Sequence, residues 1–235
     1  GNCGSHAEFM DHYGYFARNL YRAMKPGRMT CVHCTDLPTR KGRDGFIGLH
    51  DFSGDLIKAH QDAGFVYHAR AVIWKDPVVE MQRTKALGLL YKQLRKDSAM
   101  SRVGMPDYML FFRKDEPNPE PITHEPEDLP VSLWQEMASP VWMTVNQTRV
   151  LNGRLARGDR DEKHICPLQL DVIDRCLTLY SNPGDLVMDP FNGIGSTGYQ
   201  ALKMGRRYIG SELKPEYAVQ AARFMAEAED SRWTL

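Results

Sequence analysis

Asp185-Leu-Val-Met-Asp-Pro-Phe-Asn-Gly-Ile-Gly-Ser-Thr-Gly198 is the stretch on which the reading of this chain turns. Its short apolar run, Leu186-Val187-Met188, ends in an acid, Asp189, then passes through a glycine-bearing loop into a helix-like segment reaching Lys203. That order is strand, loop and helix start, the local form of a nucleotide-type site. Gly193 and Gly195 let the backbone approach a ligand closely, and Asp189 falls at the strand's carboxyl end. A second strand, Arg207-Tyr-Ile-Gly-Ser211, delivers Glu212 about twenty residues further on, where an acid in a βαβ unit reaches the two hydroxyls of a ribose.

The flanks of this unit are helical. Leu170, Ile173, Leu177 and Tyr180 share one face of a helix that starts near Pro167 and stops at Asn182-Pro-Gly184. After Glu212, a helix from about Pro215 to Glu229 turns Tyr217, Ala221 and Phe224 inward. At the other end of the chain, Phe9, Tyr13, Phe16, Leu20 and Met24 recur at three or four, predicting a helix over His6–Met24 that Lys25-Pro-Gly27 stops. Met29–Cys34 reads as a buried strand and Pro38–Gly48 as a loop. A helix follows from Phe52 to Ala63, capped by Asp51 and ended by Gly64, and Phe65–Trp74 is strand-like. Helix and strand alternate, which predicts an α/β fold with a mostly parallel, Rossmann-like sheet covered by helices.

Between Val78 and Gly104 the character changes. Arg83, Lys85, Lys92, Arg95, Lys96 and Arg102 face few acids, and Leu87, Leu90, Tyr91 and Leu94 supply a narrow apolar helical stripe. Tyr108–Arg113 then returns as a strand able to pair with Phe65–Trp74. The basic segment is therefore expected as a small helical insertion in an antiparallel hairpin at the sheet edge. Lys114–Pro130, rich in proline and acid, reads as a surface connection.

Composition narrows the partners. The 235 residues suit one α/β domain with an insertion. Lys plus Arg and Asp plus Glu number 30 each, so a nucleic-acid partner has to be met by a local basic patch, not by overall charge. No apolar run reaches membrane-spanning length. Five cysteines without regular spacing make no disulfide framework and point to a reducing, cytoplasmic setting.

The loop also discriminates among nucleotide ligands. An acid, a proline and an aromatic replace the first half of Gly-x-Gly-x-x-Gly, which disfavours a nicotinamide cofactor whose pyrophosphate needs the bare helix start. S-adenosylmethionine has no phosphate. Its cationic amino-acid end suits an acid beside a tight glycine turn, and its ribose suits Glu212.

Asp189-Pro-Phe-Asn-Gly-Ile-Gly-Ser196, Gly205-Arg-Arg-Tyr-Ile-Gly-Ser-Glu-Leu213 and the closing Tyr217 and Arg223 resemble the amino-group DNA methyltransferases that modify adenine N6 or cytosine N4. His164-Ile-Cys-Pro-Leu-Gln-Leu170 is similar to the segment that precedes the loop in that family. The order of elements resembles the permuted subclass, whose catalytic half precedes its cofactor half. The resemblance implies that Asp189, Phe191, Asn192, Gly193, Gly195 and Glu212 hold S-adenosylmethionine, helped by His164 and Pro167. It implies a catalytic half over residues 1–75, target recognition over 76–104 through the six basic residues named above, a return strand and connection over 105–163, and a cofactor half over 164–235. Double-stranded DNA is then the partner, and a homodimer is compatible with the family.

Amino-group methylation needs no covalent intermediate. The base is flipped out, stacked on an aromatic ring, and its amine is held by oxygen acceptors for in-line attack on the sulfonium methyl. The family does this with (Asp/Asn/Ser)-Pro-Pro-(Tyr/Phe/Trp), and no such tetrapeptide occurs here. Ser139-Pro-Val-Trp142 lacks the second proline and follows the basic insertion, the wrong place in this order. The expectation is that the motif stood upstream of Gly1, which leaves the catalytic residues unknown. His33 and Asp36, at a strand's carboxyl end, are candidates to line the base pocket. Cys31-Val-His-Cys34 lacks a second pair to complete a zinc site, although His164 and Cys166 come into question, and no metal is expected. Cys166-Pro167 has the reverse order of a cytosine-C5 nucleophile. The reading is an adenine-N6 DNA methyltransferase; cytosine N4, a non-catalytic cofactor- and DNA-binding module, and an RNA or protein methyltransferase are the alternatives.

Overall fold

The structure, a computed structural model, describes residues 3–151 and 167–231. It divides into two compact bodies, residues 1–121 with 138–143, and residues 122–137 with 144–235.

In the first body, α1 (His6–Ala23) starts at Ser5, whose hydroxyl accepts the Glu8 N–H at 3.1 Å. Glu8 reaches back to the Gly4 N–H at 2.6 Å, so two donors that the helix leaves open are satisfied. β1 (Met29–Cys34) leads to a short antiparallel pair, β2 (Leu37–Pro38) and β3 (Leu49–His50), with α2 (Lys41–Asp44) between them. The expected irregular loop therefore has structure of its own. α3 (Phe52–Asp62) is capped by Asp51, which accepts the Gly54 N–H at 2.7 Å, and the chain leaves it through Gly64 at φ +105°. β4 (Phe65–Ile73) follows.

The basic segment does not form one amphipathic helix. It breaks into α4 (Pro77–Thr84), a 3₁₀ turn at Leu87–Leu89, α5 (Tyr91–Lys96) and a second 3₁₀ turn at Ser98–Met100. Leu87 and Tyr91 of the expected apolar stripe are 70% and 73% exposed, so the stripe covers no core. Four apolar residues among many cations cannot offset the ordering of a longer helix, and Lys85, at φ +52°, ends α4.

β5 (Asp107–Lys114) pairs antiparallel with β4, as the hairpin reading requires, with an irregularity between Tyr67 and Ala69. It is an inner strand, however, because β1 pairs with its other side, also antiparallel. Leu110 and Phe112, fully buried, fit that position. β6 (Val141–Trp142) adds parallel to the end of β4, giving the order β1-β5-β4-β6. α1 and α3 cover this sheet, with Tyr13, Leu56, Ala59, Phe65, Leu110 and Phe112 in one core. His60 lies within that core, its ring 4.0 Å from and parallel to Phe112.

The second body includes α6 (Val131–Met137) and α7 (Leu170–Tyr180), followed by a βαβ unit of β7 (Leu186–Asp189), α8 (Ser196–Lys203) and β8 (Arg207–Gly210), closed by α9 (Pro215–Asp230). β7 and β8 are parallel, with Leu186 opposite Arg207 and Asp189 opposite Gly210. Leu170, Ile173, Leu177, Ile194, Ala201 and Phe224 form the core. Gly195 is required here: its φ is +88°, and a Cβ would lie 2.9 Å from the Ala221 Cβ on α9.

Candidate functional site

The loop between β7 and α8 is held from both strands. Asp189 Oδ1 accepts the Phe191 N–H at 2.9 Å and Oδ2 accepts the Thr197 hydroxyl at 2.6 Å, so this carboxylate shapes the turn. Glu212, just past β8, accepts the Gly193 N–H at 2.8 Å through Oε2 and the Lys214 N–H at 2.9 Å through Oε1. The acid that follows the second strand is thus brought directly to the glycine loop. Both carboxylates keep lone pairs beyond these bonds, since each ionised oxygen can accept more than one donor.

Asn192 is tied to the scaffold. It is buried, its N–H donates to the Ser211 carbonyl at 3.0 Å, and its side-chain oxygen accepts the Tyr208 hydroxyl at 2.6 Å. Burial pushes the Tyr208 phenol well above its ordinary value, so it remains a donor. Phe191 is the opposite case, 67% exposed beside the loop. Gly193, at φ +52°, has open space where a side chain would stand, the nearest atom being the Phe191 carbonyl oxygen at 4.0 Å. Pro167 lies just before α7, next to Leu168, which packs against the core containing Ile194. His164 and Cys166 fall outside the described residues.

Thr197, Tyr208 and the Lys214 N–H are the parts of this cradle that sequence reasoning missed. Thr197 had a signal, a hydroxyl in the first turn of the helix that the Asp189 loop opens. Tyr208 had none, because its partner Asn192 is sixteen residues away.

In the first body, His33 Nε2 meets Asp107 Oδ2 at 3.1 Å, and Lys75 Nζ meets Oδ1 of the same carboxylate at 2.5 Å. Burial alone would raise the Asp107 carboxyl, but its bonds and charges with His33 and Lys75 outweigh that and hold it below the usual carboxylate range. Asp36 does not join this cluster; its Oδ1 accepts the Ser53 N–H at 3.1 Å near the start of α3. Cys34 is buried, and burial with the nearby Asp36 and Asp107 charges pushes its thiol up to about 12. It stays protonated at neutral pH, which removes the Cys-x-x-Cys as a thiolate pair. Trp142 of Ser139-Pro-Val-Trp142 is 1% exposed, its ring edge-on to Phe111 in the sheet core, and so cannot serve as a stacking platform.

Of the six basic residues, Arg102 is committed elsewhere: its guanidinium meets the buried Glu80 carboxylate at 3.2 Å. Arg83, Lys85, Lys92, Arg95 and Lys96 are exposed and make no salt bridge among the described residues. Lys92, Arg95 and Lys96 line one shallow cleft of about 380 Å³ together with Tyr91.

The strand, glycine loop, helix and second strand, with acids at both strand ends, and an antiparallel strand set between two others, define a methyltransferase-type α/β fold. Residues 1–223 match the DNA methylase family of N6 and N4 enzymes, and the chain belongs to that family. The DNA adenine methyltransferase YhdJ of Escherichia coli K12 is 28% identical over 186 residues, which are 79% of this chain and 52% of that protein. The chain thus spans about half the length of this relative. A candidate DNA modification methylase of Thermus thermophilus, solved with S-adenosyl-L-methionine, superposes with a TM-score of 0.72 at 22% identity, covering 94% of this chain and 78% of that one. The cytosine-N4-specific PvuII DNA methyltransferase gives 0.64 at 18% identity, covering 95% and 75%.

Proposed function

We propose that the protein is an S-adenosylmethionine-dependent DNA methyltransferase that transfers a methyl group to the exocyclic N6 of adenine in duplex DNA. The observation that carries this reading is the Glu212 carboxylate on the Gly193 N–H, beside open space at the glycine loop. The residues fit the cofactor. Glu212 would accept from ribose hydroxyls, Asp189 would supply negative charge toward the cationic amino-acid end, and exposed Phe191 would offer an apolar surface to the adenine. When bound, S-adenosylmethionine supplies an electrophilic methyl carbon. The protein's part is to hold it and exclude competing nucleophiles.

Duplex DNA is the substrate in this reading, and the Lys92, Arg95, Lys96 and Tyr91 cleft its phosphate contact, with residues 76–104 as target recognition. Arg102 drops out of the contact set. Each phosphate neutralised steepens the loss of affinity with salt. Lys92→Glu with Lys96→Glu should weaken DNA binding at least tenfold and flatten its salt slope by about two ion equivalents; unchanged binding removes the cleft from the site. A reducing cytoplasm is the matching compartment.

Adenine N6 is supported by the E. coli relative, whose name specifies adenine. Cytosine N4 is the second reading, favoured by the likeness to a cytosine-N4-specific enzyme. Incubation of the protein with duplex DNA and labelled cofactor, followed by nucleoside mass spectrometry, separates them. N6-methyladenine supports the proposal and N4-methylcytosine the second reading. Cofactor and DNA binding without either product leaves a binding module and sinks the enzymatic claim for this chain.

A further inference from the structure

His6, His50 and Asp55 come from three different elements and converge on one point. His6 opens α1, His50 ends β3, and Asp55 lies in the first turn of α3. Asp55 Oδ2 is 2.8 Å from His6 Nε2 and 2.8 Å from His50 Nε2, and the two nitrogens are 3.1 Å apart. The imidazoles stand edge to face, ring centres 4.2 Å apart, so both Nε2 atoms are directed to the same place. Phe52 packs against the His6 ring from the side, with centroids 6.2 Å apart.

A pair of hydrogen bonds explains this triangle poorly. One carboxylate oxygen can accept from both Nε2–H groups, but the two N–H groups would then face each other across 3.1 Å with no acceptor between them. A cation accounts for all three edges at once. Donors about 2.1 Å from an ion and at right angles to each other stand about 3.0 Å apart, the three corners of one octahedral face. Here the ion would sit about 1.3 Å above the plane of the three atoms, each at an ordinary bond length. Two imidazole nitrogens with one carboxylate oxygen suit a borderline transition metal, not magnesium or calcium, which take oxygen donors. The three side chains are 39%, 41% and 38% exposed, so water or another oxygen ligand can fill the remaining positions.

We propose that His6, His50 and Asp55 form a divalent transition-metal site, of the zinc, cobalt or nickel class, that fastens the start of α1 to the junction of β3 and α3. All three residues lie in the first body, and His6 lies 44 residues from His50 and 49 from Asp55 in sequence. No short-range spacing signals such a set. The sequence-based expectation of no metal weighed only cysteines with their neighbouring histidines, and this set contains no cysteine.

Zinc titration of the metal-free protein by calorimetry tests the site, with cobalt absorption as a second readout. One equivalent should bind tightly. Cobalt should give the d–d bands of nitrogen and oxygen ligation without a thiolate charge-transfer band. His50→Ala and Asp55→Asn should each weaken zinc by about 100-fold or more and abolish the metal-dependent rise in melting temperature. Cys3→Ser with His12→Ala, a pair 3.7 Å apart on the same helix end, should leave the tight equivalent in place. Each of the three side chains is more than a third exposed, so the variants should retain the wild-type circular dichroism spectrum. Absence of a tight equivalent, a thiolate band, or binding indifferent to His50→Ala and Asp55→Asn overturns the proposal.

Discussion

Glu212→Gln is the substitution that separates a loop-building acid from a ligand-binding one. The carboxylate accepts two backbone N–H groups, Gly193 at 2.8 Å and Lys214 at 2.9 Å. Glutamine keeps one acceptor and presents an amide to the other N–H, so one charge-assisted bond is lost in the free protein. Because the residue is half-buried, water takes over part of that bond, and the loss of stability should stay within about 1–2 kcal/mol. In the complex the change goes further. A ribose hydroxyl that donated to the ionised oxygen loses a charged acceptor, worth about 1.5–3 kcal/mol, or about 10- to 150-fold in affinity. Calorimetry with S-adenosylmethionine and with its 2′-deoxyribose analogue measures both. The wild type should bind the deoxy compound at least tenfold more weakly than the parent, and in Glu212→Gln that difference should shrink to about twofold. If the variant binds the parent compound within twofold of wild type, or keeps the full penalty for the deoxy sugar, Glu212 does not touch the ribose.

Two glycines of the same loop should behave oppositely. Gly195→Ala meets Ala221 at 2.9 Å on top of a left-handed backbone, and should cost about 2–5 kcal/mol and about 5–15 °C of melting temperature. Gly193→Ala enters open space, and should cost only about 1–2 kcal/mol while weakening the cofactor at least tenfold. Asp107→Asn should destabilise by about 2–3 kcal/mol near neutral pH, because Lys75 and His33 lose a common partner. The native carboxyl lies below its ordinary 3.8, so its contribution is complete above that value and vanishes as pH falls through the folded value. Urea unfolding of wild type and variant should therefore differ fully above about pH 5 and converge as the pH falls below the ordinary carboxyl value through the lower folded one. Cys34, raised to about 12, carries about 1000-fold less thiolate at pH 8 than an ordinary thiol, and iodoacetamide should label it correspondingly slowly in the folded protein.

Elements with strong local chemistry were legible in the sequence. α1, β1, α3 and the βαβ unit ending at β8 follow their expected spans to within a residue, and α1 and α3 do so because each combines a periodic apolar face with a side-chain cap and a glycine-bearing stop. Asp51 and Gly64 are examples, one accepting the Gly54 N–H and the other turning at φ +105°. What the sequence concealed was nonlocal. β5 lies inside the sheet because its Leu110 and Phe112 are buried on pairing with β1 as well as β4, and hairpin periodicity reports only the second neighbour. Arg102 looks like its basic neighbours until Glu80, buried 22 residues earlier, is seen to need a cation. Trp142 likewise reads as a free aromatic after Ser139-Pro-Val, whereas two residues of strand pairing place it fully in the core.

The acids at the glycine loop bear on how tightly a cofactor can be held. Asp189 and Glu212 together fix the Phe191 and Gly193 N–H groups and the Thr197 hydroxyl through bonds within the protein. Asn192, bound to Tyr208 and Ser211, fixes the residue between them. A ligand entering beside Gly193 therefore does not have to order this loop, and saves about 1–2 kcal/mol for each backbone residue already fixed. The same bonds let these acids both shape the loop and meet a ligand. A carboxylate that shapes the turn with one lone pair can meet a ribose hydroxyl or an ammonium with another, and its position is more certain for being held. Thr197→Val isolates the first of these roles. It removes one donor from Asp189 while leaving the charge, so it should loosen the loop and weaken S-adenosylmethionine by about three- to tenfold. Asp189→Asn removes the charge as well, and should weaken the intact cofactor more than an analogue lacking the amino-acid end. Equal losses for both compounds would confine Asp189 to shaping the turn.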